Sequence, residues 1–243
     1  MDSLWYEITD NELRAYFGVN IFMGINELPG YNDYWSRDNF IGNDGIKSTF
    51  TIRQYEKLTE YLHVSDRANE SNRGDENYDK LYKVRPVLDM TKQSFSTKYK
   101  LHKNISIDEA MIKWTGRLSF KQYLPAKPIK RGIQVWMSCD ANTAFLSDFN
   151  IYLGHGTHQS EHGLGYEVVT TLTNDLHGKF HHIFYNYFTG LKLAEDLLAN
   201  DIHFCGTIRM NRHGFPDELK KLKMRRGESR VAKRKYSCCS VAG

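Results

Sequence analysis

The sequence predicts an α/β protein: a mixed β-sheet flanked by helices, with a helical segment ahead of it. Three observations carry this. Between residues 104 and 154, three strand-type apolar runs follow one another, at 105–107, 134–139 and 147–153. After them, helical and strand-type segments alternate: helix at 164–176, strand at 181–185, helix at 189–200, strand at 202–209. Before them, residues 9–25, 51–62 and 80–99 keep a helical spacing.

Thr9, with Glu12 three residues on, fits a capping box that opens the first helix. Leu13, Tyr16, Phe17 and Ile21 then fall on one face, and Leu28-Pro29-Gly30 ends the run. Trp35 is expected to pack as a core or interdomain anchor, as large aromatics mostly do. In the second helix Tyr55, Leu58 and Leu62 share a face. His63 follows with no second ligand nearby and reads as a structural histidine. Residues 65–79 are polar and form a loop. In the third helix Leu81, Val84, Leu88 and Phe95 keep the spacing, and Pro86 marks a start or a kink.

The first strand, 105–107, is expected to end on the paired acids Asp108 and Glu109. An acid just past a buried strand sits at a sheet edge, where it can hold a divalent cation against a phosphate. Glu109 points to the opposite side of a continuing strand and is the weaker candidate. Next, Lys113, Arg117, Lys121, Lys127, Lys130 and Arg131 alternate with Trp114, Phe120 and Tyr123. Basic residues interleaved with aromatics suit a nucleic-acid backbone; a solvated basic loop is the plainer alternative. A polar turn, Asp140-Ala141-Asn142-Thr143, joins the next two strands. His155, His158 and His162 lie among Gly154, Gly156, Gly163 and Gly165, which favours a flexible loop over a zinc site. In the helix after it Val168, Val169, Leu172 and Leu176 face inward, and Thr189 is expected to cap the next one.

Composition bounds the function classes. At 243 residues the chain can bury a sizeable core. It holds no run of eighteen apolar residues, so no membrane helix is expected, and acids replace the basic start of a signal peptide. An intracellular protein is expected. Four cysteines, two of them adjacent at Cys238 and Cys239, do not make a disulfide framework. Residues 1–103 carry 14 Lys and Arg against 16 Asp and Glu, and residues 104–243 carry 19 against 13. A polyanion is drawn to the second part.

Several motifs together carry a family resemblance. They are the Asp33-Tyr34-Trp35-Ser36 element after Leu28-Pro29, Leu62-His63-Val64-Ser65-Asp66, KLYKVRP at 80–86, SIDEAMI at 106–112, YLPAKPIKRG at 123–132, and the hairpin from CDAN to FNIYLG. This pattern resembles the piggyBac family of DDE/D DNA transposases and their transposable element-derived relatives, from about Leu13 to about Glu228. The resemblance implies an RNase H-like, DDE transposase-type core over residues 104–218, probed by Asp108 as the ancestral catalytic and metal-ligating acid, with Mg²⁺ as its ion. It implies that 1–103 is the end of a helical dimerisation and DNA-binding region, and that 219–243 is a divergent basic tail. It further implies double-stranded DNA, at transposon ends, as the partner, a homodimer, and a nuclear location.

The same resemblance exposes a break. The family reads an aromatic, then Asp-Asn, two aromatics and Thr or Ser, where that aspartate is the second catalytic carboxylate. This chain reads Phe184-Tyr185-Asn186-Tyr187-Phe188-Thr189, without the aspartate. The third carboxylate and the C-terminal cysteine-rich zinc domain are expected to be missing as well, and the core to be incomplete. The tail from Leu219 to Lys235 carries nine Lys and Arg against one acid, as a nuclear-import signal, a DNA-backbone arm or a disordered remnant would. Three readings stay open: a remnant without activity, a non-catalytic DNA-binding or interaction protein, and an active transposase obscured by a sequence error.

Overall fold

The computed structural model describes residues 6–154, 161–186, 188–212, 215–220, 225, 227–233 and 237–241, with the side chains of 230, 232, 233 and 237–241 left aside. The chain divides into two compact units between Glu76 and Asn77.

The first unit is helical. Helix α1, Asp10–Ile25, opens on the expected capping box, with Thr9 and Glu12 satisfying each other's backbone N–H groups. Its buried face differs from expectation. Tyr16 and Val19 point inward, while Phe17 and Ile21 are exposed. Tyr16 has the stronger claim on the interior, because its hydroxyl reaches Thr59 at 3.0 Å and its ring meets Tyr55. Short helix α2, Asp44–Thr49, and helix α3, Ile52–Tyr61, add Ile46, Tyr55 and Leu58 to that cluster. Trp35 packs against it as expected, and its Nε1–H donates to the Phe50 carbonyl at 2.7 Å. His63 is held locally, with Nδ1 2.7 Å from the Tyr61 carbonyl.

The second unit holds the sheet. Helix α4, Arg85–Lys98, begins later than the spacing suggested, because Pro86 lacks an N–H and fits only the first turn. Strand β1, Asn104–Lys113, pairs antiparallel with β3, Arg131–Asp140, which also pairs with β2, Gln122–Tyr123, and β4, Leu146–Ile151. Helix α5, Leu164–Thr173, leads to β5, His182–Tyr185, and α6, Leu191–Ala199, leads to β6, His203–Gly206. The sheet order is β2-β3-β1-β5-β6 with β4 beside β3, and β5 and β6 run parallel to β1. Helices α5 and α6 cover one face through Val168, Val169, Leu172, Leu193 and Leu197 against Ile105, Ile107, Trp136 and Ile183. Each such fully buried aliphatic contributes about 1.5–3 kcal/mol.

One further expectation changes. Thr189 does not cap α6; its hydroxyl donates to the Asn186 carbonyl at 3.2 Å and Gly190 takes the cap position. Short helix α7, Asp217–Lys220, then precedes an antiparallel hairpin of β7, Ser229–Lys233, and β8, Ser237–Val241. Among the described residues, no helix is long and apolar enough to cross a membrane.

Candidate functional site

Asp108 lies in the middle of β1, opposite Met137, and not at a strand end. The strand continues to Lys113 because β3 stays paired with it the whole way, and an exposed hairpin arm tolerates the polar residues that follow. The opening appears on the other side of β1. Parallel pairing with β5 stops at Ser106, opposite Phe184. Asp108 is therefore exposed just past the point where β1 and β5 part. The crevice outside the carboxyl ends of parallel strands is where open α/β sheets take their ligands. One Asp108 oxygen accepts the Glu109 backbone N–H at 2.8 Å.

Glu109, on the other face, is engaged. Its carboxylate pairs with Lys127 at 3.1 Å, and the same ammonium donates to the Glu109 carbonyl at 3.2 Å. Lys127 is thereby tied to β1. The other basic candidates follow the arm made by β1, β2 and β3. Lys121 donates to the Gly116 carbonyl at 2.9 Å, and the Arg131 guanidinium lies 4.9 Å from the Tyr123 ring centre. Lys113, Arg117 and Lys130 are exposed, and no side-chain hydrogen bond or ion pair of theirs occurs among the described residues. Gly132 fixes the arm: a Cβ there would meet the Ile112 carbonyl oxygen at 2.0 Å.

Carrying the β1–β5 register two positions forward brings Asp108 level with Asn186. The residue before it, Tyr185, closes β5 in unbroken register with Gly206 of β6. Tyr185 is buried, and its hydroxyl finds no hydrogen-bond partner among the described residues. Burial, with Cys205 adding to it, pushes the phenol up, so it stays neutral. Asn186 is bonded to Thr207, whose Oγ1 lies 3.3 Å from the Asn186 carbonyl and 3.5 Å from Oδ1. A cavity of about 250 Å³ here is lined by Asn186, Thr189, Thr207, Ile208, Arg209 and Arg212. Sequence reasoning passed over the two arginines; the one available signal was their place just after the last core strand.

A two-cation phosphoryl-transfer centre needs several anionic oxygens around one point. Here Asp108 is level with the Asn186 amide, which supplies no charge, while Tyr185 sits in the buried cluster with Ile107. Among the described residues, no three His, Cys, Asp or Glu side chains converge so as to hold a metal ion. The donor set that the described residues offer around Asp108 does not fit a two-Mg²⁺ centre. His155 and His158 lie outside the described residues, and the His162 ring stands edge-on to Tyr166.

A second aspartate, Asp140, was expected only as a turn residue. It is fully buried where β3 ends. Its oxygens accept the backbone N–H groups of His102 and Asn142 at 2.8 Å and of Thr143 at 3.3 Å, the His102 ring at 2.8 Å and the Tyr99 hydroxyl at 3.3 Å. Burial alone would raise this carboxyl; the N–H groups of His102 and Asn142 and the His102 ring outweigh it and hold it well below the usual carboxylate range.

Residues 2–241 match the family model described as Transposase IS4. The chain belongs to that transposase family. Its relatives are of the piggyBac type. The human piggyBac transposable element-derived protein 3 is 26% identical over 209 residues, covering 83% of this chain and 34% of that protein. The human piggyBac transposable element-derived protein 5 is 25% identical over 223 residues, covering 86% of this chain and 40% of its own. The chain thus spans little more than a third of these relatives. The piggyBac transposase of a synaptic complex with hairpin DNA superposes with a TM-score of 0.84 at 24% identity, over 99% of this chain and 52% of that one. That match establishes the RNase H-like DDE fold for the chain.

Proposed function

We propose that this piggyBac-type chain binds double-stranded DNA through the β1–β2–β3 arm without catalysing strand transfer. The observation that carries the second half is the end of β5. The family's second carboxylate belongs there, and this chain presents the buried neutral Tyr185 followed by Asn186. Exposed Asp108 is then level with that amide and not with a second carboxylate, so Mg²⁺ is not held productively. Binding rests on the arm's free cations, Lys113, Arg117 and Lys130, and on the similarity to a transposase whose solved complex contains DNA. Transposon ends are the expected target and the nucleus the expected location.

The test is a salt titration of duplex DNA binding. The triple variant Lys113→Ala/Arg117→Ala/Lys130→Ala should weaken binding and lower the salt slope by about 3, roughly one per lost phosphate contact. Lys127→Ala should leave the slope alone, because Lys127 is committed to Glu109. A triple variant that binds with the parent's slope contradicts the arm as the interface.

A further inference from the structure

A cleft of about 1160 Å³ opens at the other end of the sheet, where the chain enters β1 and β5. Lys98, Lys100 and Lys103, from the end of α4 and the segment before β1, line it together with Lys179. The first three are exposed, and no ion pair of theirs occurs among the described residues. Lys179 donates to the Asp175 carbonyl at 2.6 Å, which leaves its charge uncompensated. Two acids share the lining. Asp148 is neutralised by Lys92 at 2.9 Å, and Asp175 stands alone against four lysines. Leu172, a buried residue of α5, gives an apolar floor.

Phe180 stands in the same lining with 56% of its surface exposed and a backbone φ of +55°. A bulky residue in the left-handed region is an outlier that costs folding free energy, and such residues gather at binding sites. Here it sets an aromatic side chain in the lining of the cleft that the four lysines also line.

We propose that this cleft binds a nucleoside phosphate. The base stacks on Phe180, and the phosphate oxygens meet Lys98, Lys100, Lys103 and Lys179. A free nucleotide and an unpaired nucleotide of a single strand share this chemistry. The site is separate from the arm and from Asp108, and it does not depend on the duplex-binding reading.

The experiment is fluorescence anisotropy of the intact chain with a labelled ATP analogue and, separately, a short labelled deoxythymidine oligonucleotide. Saturable binding of either supports the site, and the probe that binds identifies the source. Lys98→Ala/Lys100→Ala/Lys103→Ala should weaken it at least about tenfold, as lost phosphate contacts do. Phe180→Gly should raise the thermal midpoint by relieving the backbone while weakening binding by about 5-fold or more. That pairing separates lost stacking from lost folding. Absence of saturable binding for both probes overturns the proposal. So does unchanged affinity in these variants, or competition by tripolyphosphate as strong as by the nucleotide, since charge alone would then explain binding.

Discussion

The end of β3 and the middle of β1 each carry an aspartate, and the fold treats them in opposite ways. Asp140 is enclosed and receives N–H or O–H donors from Tyr99, His102, Asn142 and Thr143. Asp108 stands in the open with the neighbouring Glu109 N–H on one oxygen. A carboxylate whose lone pairs are all used is a structural part, and one left to solvent is available for cations or phosphate chemistry. On the proposed reading Asp108 lacks an acid partner across the crevice, because the β1–β5 register brings it level with the Asn186 amide.

Asp140→Ala is the severest way to test the contrast. It strands buried donors and should cost about 2–4 kcal/mol in urea denaturation. Asp108→Ala should stay within about 0.5 kcal/mol, as exposed substitutions do. Equal effects would break the comparison.

Gly132→Ala should come next. Its Cβ would press on the Ile112 carbonyl, so the β1–β3 pairing must shift, at about 1–3 kcal/mol. Arm-dependent DNA binding should fall with it while Asp140's contribution stays.

pH sharpens the contrast further. Asp140 titrates lower when folded than its unfolded value of about 3.9, so its contribution is present above about pH 4 and is lost as pH falls below that. The stability gap between the parent and Asp140→Asn should therefore be full at neutral pH and shrink below about pH 4. A gap that grows on acidification contradicts the assignment. The smallest effect belongs to Tyr185→Phe, which removes a buried, unpaired hydroxyl and should be neutral or stabilise by up to about 1 kcal/mol in the same denaturation.

These contrasts follow how the sequence could be read. Helix α5 and the β3–β4 hairpin were legible because their apolar periods are unmixed. The length of β1 was not, since Asp108 and Glu109 look like a strand's end and only pairing with β3 extends it. Phe17 and Ile21 looked as buried as Tyr16, and the hydroxyl bond to Thr59 that favours Tyr16 spans two helices. Asp140 reads as a turn former; its bond to His102 joins residues 38 apart, which no local pattern reports. Asp108, Asn186 and the arm's cations were visible through motif and charge. Lys127's commitment to Glu109 was not, because it depends on the path of the arm.

Whether the crevice between β1 and β5 performs metal-dependent chemistry decides between a binding protein and an active transposase. The measurement is incubation of the parent chain and Asp108→Asn with duplex DNA carrying transposon-type ends, in Mg²⁺ and in Mn²⁺, scoring strand nicks and binding together. The account expects salt-sensitive binding by both chains and no nicks from either. Metal-dependent nicking by the parent that disappears in Asp108→Asn would contradict it.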